Sequence, residues 1–252
     1  NQNEINKTLR RFWEIDDGGI ENETECMSKN DKLFLEKAEK SIESIGQQPS
    51  RYQIDIPWND NKVHLFENSE MAMKRLYNTE KRLIKDPTLH QKYNEIICDY
   101  VEKGYVTKTT KNEEKAWYIP HFPVLRPDKS TTKVRIVFDA SAKYNGISLN
   151  DAIDQGPPLQ ADLFDVLVRF RRHSVAVVCD IQEMYLQVGI PVQDRNYHRF
   201  LWRSNPESPI ETFEFSRLVF GVNASPFLAQ CVSRYNAKVY ADKFPLAKET
   251  VL

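Results

Sequence analysis

Asp180 closes a run of five apolar residues, Val175-Ala-Val-Val-Cys179, three of them β-branched. Such a run reads as a strand buried on both faces, and it would deliver a carboxylate to the rim of a core. A charge in that position is costly unless something cationic meets it; the plain alternative is an aspartate capping the next turn. Cations of the right kind stand on another stretch. In Lys133–Asp139 the two-residue period puts Val134, Ile136 and Phe138 on one face, and Lys133 and Arg135 side by side on the other. Ammonium and guanidinium groups on a rigid strand suit triphosphate oxygens, although a solvated sheet face accounts for the same pair. Tyr185 follows Asp180 closely, and Phe220-Gly221 precedes Ser225-Pro226, an N-cap and first-turn proline at a helix start.

The elements that must hold these residues change character along the chain. Residues 1–30 are polar, with Asp16-Asp17-Gly18-Gly19 as a turn, and read as a short docked segment followed by a loop. Asn30 is placed to cap a helix lined by Leu35, Ala38, Ile42 and Ile45 and ended by Gly46. Tyr52–Trp58 alternates as an edge strand limited by Pro57. Ser69 opens a helix carrying Met73, Leu76, Leu83 and Ile84. Asp86-Pro87 starts the next, with Leu89, Tyr93, Ile97 and Tyr100 as its apolar stripe and Gly104 as its terminator. The first 104 residues thus read as a mainly helical N-terminal arm.

From Tyr105 the pattern turns to strands. Trp117–Leu125 and Lys133–Asp139 form one expected hairpin, and Tyr197–Trp202 with Ile210–Phe215 another. Between them lie a helix over Leu159–Phe170, with Leu163, Val166, Leu167 and Phe170 inward, and the Asp180 strand. After Ser225-Pro226 a helix carries Leu228, Cys231, Val232, Tyr235 and Val239. The fold class is α+β.

At 252 residues the chain can bury one large core or two modest ones. A 40% hydrophobic and 28% charged composition is that of an ordinary soluble globular protein, and no run of about eighteen apolar residues offers a membrane span. The polar start, without initiator Met, reads as a segment of something longer. Cys26, Cys98, Cys179 and Cys231 are scattered with no Cys-x-x-Cys pair, which fits reduced thiols in an intracellular protein. Residues 1–60 hold 13 Asp/Glu against 8 Lys/Arg, a balance of -5; since the whole chain carries -1, the remainder carries +4. A mildly basic main body is compatible with a phosphate-bearing partner.

In their fixed order these features resemble the reverse transcriptases of long-terminal-repeat retrotransposons, most closely the Pao/BEL group. The resemblance is carried by Lys133-Val-Arg-Ile-Val-Phe-Asp-Ala-Ser-Ala142, Ser148-Leu-Asn-Asp151, Gly156-Pro-Pro-Leu-Gln160, Asp162-Leu-Phe-Asp165, Asp180-Ile-Gln-Glu-Met-Tyr-Leu-Gln187, Arg199-Phe-Leu-Trp-Arg203 and Phe220-Gly-Val-Asn-Ala-Ser-Pro226. It covers most of residues 110–252. It implies right-hand polymerase fingers and a partial palm over residues 105–252, preceded by the helical arm. By resemblance Asp180 is the first metal-binding aspartate of the palm, assisted by the Ile181 carbonyl. Tyr185 is the gate beneath the incoming sugar, Lys133 and Arg135 reach the triphosphate, and Phe220 and Gly221 lie near the nascent base pair. The implied reaction is template-directed attack of a primer 3′-OH on a deoxynucleoside triphosphate, with two Mg²⁺ ions about 3.5–4 Å apart. Template, primer, the protease, RNase H and integrase of the same polyprotein, and a cytoplasmic virus-like particle are the implied partners and setting.

The chain departs from the pattern at its end. The second acidic element, Tyr-x-Asp-Asp, is missing, and Asp242 and Glu249 are poor substitutes. One carboxylate does not hold two hard dications well, so these 252 residues are expected to be inactive alone. Two other readings stand beside this one: a decayed or domesticated remnant that binds nucleic acid or a partner without catalysis, and an unrelated α/β enzyme using Asp180 at a strand end.

Overall fold

A computed structural model describes residues 27–46, 51–111, 115–125, 134–172, 174–246 and 248. The expected N-terminal docked segment, Lys133 and Glu249 lie outside the described residues. Helix α1 (Lys29–Lys40) is capped by Ser28, whose Oγ accepts from the Asp31 amide at 3.1 Å. The helix stops at Lys40, well before Gly46. Ile42 is buried, and Ile45 belongs instead to a small hairpin of β1 (Glu43–Ile45) and β2 (Arg51–Gln53). Of the expected edge strand, only its first residues pair; Trp58 makes an isolated bridge to Ile153.

Helices α2 (Ser69–Ile84) and α3 (Pro87–Glu102) follow the sequence expectation. Asp86 accepts from the Leu89 amide at 3.0 Å, and Pro87 occupies the first turn, where its missing N–H costs nothing. Gly104, at φ 68°, turns the chain out of α3 into β3 (Val106–Thr109).

The strands form two further antiparallel sheets. One is the hairpin of β4 (His121–Leu125) and β5 (Val134–Phe138); the other has the order β3-β7-β6, with β6 (Arg199–Trp202) and β7 (Glu211–Phe215) as neighbours. The alternation in β5 is as its sequence requires: Val134, Ile136 and Phe138 are buried and Arg135 is exposed. Phe138, Phe200 and Phe215 pack with ring centroids 4.9–5.2 Å apart at the junction of the two sheets. The core is continuous with the helices. Thr79 on α2 donates to the His121 carbonyl at 3.0 Å, and Tyr93 on α3 packs against Trp202 at 4.9 Å.

Two expectations fail together. Helix α4 (Leu163–Phe170) forms, but buries none of its residues, and Leu163, Val166, Leu167 and Phe170 are all exposed. The segment 174–181 forms no strand pairing; Val175, Val177 and Val178 are 77%, 81% and 83% exposed. A strand apolar on both faces needs a neighbour along each edge and a layer on each side. The described residues supply neither, so the run keeps a strand's composition without a strand's surroundings. Helix α5 (Ser225–Val239) follows, with Leu228, Cys231 and Val232 buried, Tyr235 partly so, and Val239 exposed.

Candidate active site

The turn after Asp180 is held from below. Glu183 adopts a left-handed conformation, φ 53°, uncommon for a residue with a side chain. Its carboxylate accepts from Lys103 Nζ at 2.8 Å and from the Tyr105 hydroxyl at 2.9 Å, tying the turn to the end of α3. Lys103 also meets Asp99 at 2.7 Å, and these two carboxylates raise its pKa. Gln187 closes the turn by donating to the Gln182 carbonyl at 3.1 Å. The chain between them folds into a short 3-10 turn, Met184–Gln187, that buries Leu186 and leaves Tyr185 on the surface side.

Tyr185 lies against Phe220, with ring centroids 4.3 Å apart and planes tilted by 41°. Next to Phe220, Gly221 has φ 103°, and a Cβ there would run into the carbonyl oxygen of Phe138 at the end of β5. Glycine is therefore required twice, by its dihedral and by the approach of another backbone. Asn150 braces this junction: its Nδ2 donates to the Gly221 carbonyl at 2.9 Å, and its Oδ1 accepts from the Asn223 amide at 3.0 Å. Asn223 in turn donates to the carbonyls of Asn150 and Ile153 at 3.0 and 3.1 Å. Ser225 caps nothing in the expected way; its buried hydroxyl donates to the Val219 carbonyl at 2.7 Å, and Ala224 occupies the cap.

Three of the sequence-derived residues, Tyr185, Phe220 and Gly221, thus come together beside the end of the strand that carries Arg135. Arg135 itself is exposed and free to reach outward. Asp180 and Ile181 are exposed on the unpaired segment, and Asp180 makes no hydrogen bond or ion pair among the described residues. Lys133 lies outside them. Sequence reasoning assigned no role to Glu183, Lys103, Asn150 or Asn223. The Ser148–Asp151 segment stood among the ordered matches, which was a usable signal for Asn150. Nothing in the sequence marks Glu183 as left-handed.

Among the described residues no group of three or more His, Cys, Asp or Glu side chains is gathered as a metal site requires. Asp180 with the Ile181 carbonyl is too small a donor set for two hard dications. These residues alone do not fit the metal pair. No helix of the described residues is long and apolar enough to cross a membrane. The chain matches no protein-family model and no curated protein.

Proposed function

We propose that the chain is the fingers and partial palm of an RNA-directed DNA polymerase of the retrotransposon type. The observation that supports this reading best is the junction of three distant segments: the Tyr185 ring on Phe220, with Gly221 against Phe138 at the end of β5. These are the segments that the resemblance requires to meet around an incoming nucleotide. In this reading Tyr185 offers a flat, partly apolar surface to the sugar and excludes a ribose 2′-OH. Gly221 lets the backbone approach the nascent base pair. Arg135, with Lys133, pairs with triphosphate oxygens as a planar donor fork. Asp180 would contribute one carboxylate to a Mg²⁺ site, which would need further acids to hold the ions. Template, primer, deoxynucleoside triphosphates and the remainder of a polyprotein are the proposed partners, and cytoplasmic particles the proposed setting.

The test is primer extension on an RNA template with Mg²⁺, using a chain that continues past Leu252 through its next acidic element. Extension by that chain, abolished in Asp180→Asn with an unchanged circular dichroism spectrum, is the expected result. Retained activity would remove Asp180 from the site. A second reading, a nucleic-acid-binding remnant without catalysis, draws on the lack of a gathered acidic cluster among the described residues. It predicts a longer chain that binds template but never extends a primer.

A further inference from the structure

Three arginines from separate parts of the chain gather around residues 187–190. Arg51, opening β2, donates Nη1 to the Gln187 side-chain oxygen. Arg195, in the 3-10 turn Val192–Tyr197, donates Nε to the Ile190 carbonyl at 3.3 Å. Arg217, just past β7, bridges Gly189 through its backbone, and its Nη1 would lie 3.4 Å from a Cβ placed on Gly189. That Cβ would also stand 2.9 Å from Ile45 Cδ1 and 3.1 Å from Gln53 Cβ, so the glycine is what lets the β1–β2 hairpin pack on the chain beside the guanidinium.

Among the described residues, the acceptors that Arg51 and Arg195 use are neutral. None of the three forms an ion pair among the described residues, and Arg217 Nε is buried without a hydrogen-bond partner. The carboxylate of Glu43, on the neighbouring hairpin strand, already accepts from Gln53 Nε2 at 2.8 Å. Burial, and then repulsion from Arg51 and Arg195, lower the Arg217 pKa. A buried donor left unmade and a cation left uncompensated are both costly. An anion laid across the three guanidinium groups would compensate the charge.

We propose that Arg51, Arg195 and Arg217, gathered around Gly189, bind backbone phosphates of a single-stranded nucleic acid. Guanidinium forks match phosphate oxygens in geometry and keep their charge at any working pH. The site is joined to the candidate active site through one side chain. Gln187, which receives Arg51, donates Nε2 to the Tyr105 hydroxyl at 3.3 Å, and that hydroxyl donates to Glu183. A strand held here would therefore run beside the turn that follows Asp180. The inference does not depend on polymerase activity, and catalysis plays no part in its test.

The experiment measures binding of a short labelled single-stranded RNA to the 252-residue chain by fluorescence anisotropy across a potassium chloride series. Each of Arg51→Gln, Arg195→Gln and Arg217→Gln is expected to weaken binding and to flatten the slope of log K against log salt by about 0.7. Lys92→Gln, on the outer face of α3, should leave the slope in place. Unchanged slopes in Arg51→Gln and Arg195→Gln would overturn the proposal even if Arg217→Gln failed to fold, and so would an equal effect from Lys92→Gln. Inorganic phosphate is the second arm. If it raises the melting temperature through these arginines while RNA affinity ignores them, the site belongs to a free anion and the strand assignment is wrong.

Discussion

Gly221 sits so close to Phe138 that even a methyl group on its α-carbon would collide with the Phe138 carbonyl oxygen. Two backbones, one from the end of β5 and one from the loop before α5, are in contact there without a side chain between them. Gly221→Ala therefore meets both a left-handed φ of 103° and a backbone that cannot swing aside. The expected cost is upward of about 2 kcal/mol. Gly146, at φ 86° with nothing near its missing side chain, is the comparison; Gly146→Ala should cost about 1 kcal/mol. Urea unfolding of the two variants checks the difference.

His121 gives the fold an acid limit. Its Nε2 faces the Leu201 carbonyl at 2.8 Å and so carries the proton, leaving Nδ1 to accept from the Tyr93 hydroxyl. Full burial pushes its pKa down to about 4. Between that value and the unfolded value near 6.5 the unfolded chain binds more protons, so stability rises with pH. The contribution is whole above about pH 6.5 and gone by about pH 4, on the order of 3 kcal/mol. His198, buried with Nδ1 against the Asp194 carbonyl and its pKa also lowered by burial, acts with the same sign. Unfolding free energies measured across this window should fall less steeply in His121→Phe than in the parent chain.

Glu80 on α2 and Arg203 after β6 form a two-point ion pair, with contacts of 2.6 and 2.8 Å and little solvent access on either side. Removing one partner strands the other. Glu80→Ala is expected to cost about 2–3 kcal/mol, and Glu80→Ala with Arg203→Ala less than the sum of the single changes. A double-mutant cycle by thermal unfolding reads the coupling; additivity would deny it.

Tyr185 makes its ring contact with Phe220 at the surface, and burial raises its pKa. In a catalytically complete chain, Tyr185→Ala should raise incorporation of ribonucleotides relative to deoxyribonucleotides, while Tyr185→Phe keeps the parent selectivity. Single-nucleotide extension kinetics with the two sugars decide it. Unchanged discrimination in Tyr185→Ala would refute the gate.

The exposed segment offers a test that inverts intuition. Val177→Asp and Leu163→Glu place charges in what the sequence reads as core, yet both side chains stand in solvent. Chemical unfolding of this chain should register changes within about 0.5 kcal/mol. A loss of several kilocalories would mean that the run is packed after all.

Local rules carried the sequence reading where a segment answers to its own neighbours. Asp86-Pro87, Gly104 and the alternation of Val134, Ile136 and Phe138 act over a few residues, and the structure follows them. The reading failed where burial depends on a partner element. Nothing inside Val175–Cys179 says whether a second strand lies alongside, and hydrophobic composition states only a requirement. The candidate site was legible as a set of types in order, and Tyr185, Phe220 and Gly221 do come together. The supports were not. Glu183 reaches back to Lys103, and Asn150 forward to Asn223, over separations that no local pattern encodes.

The Lys103–Glu183 contact has a practical consequence at the point where helical arm gives way to sheets. A nick beside Gly104 would not release two modules. Cleaved ends would stay clasped by that salt link, by Thr79 on His121 and by Arg203 on Glu80. Protease-clipped material should therefore co-migrate as an intact particle on a sizing column and part only when denaturant is added.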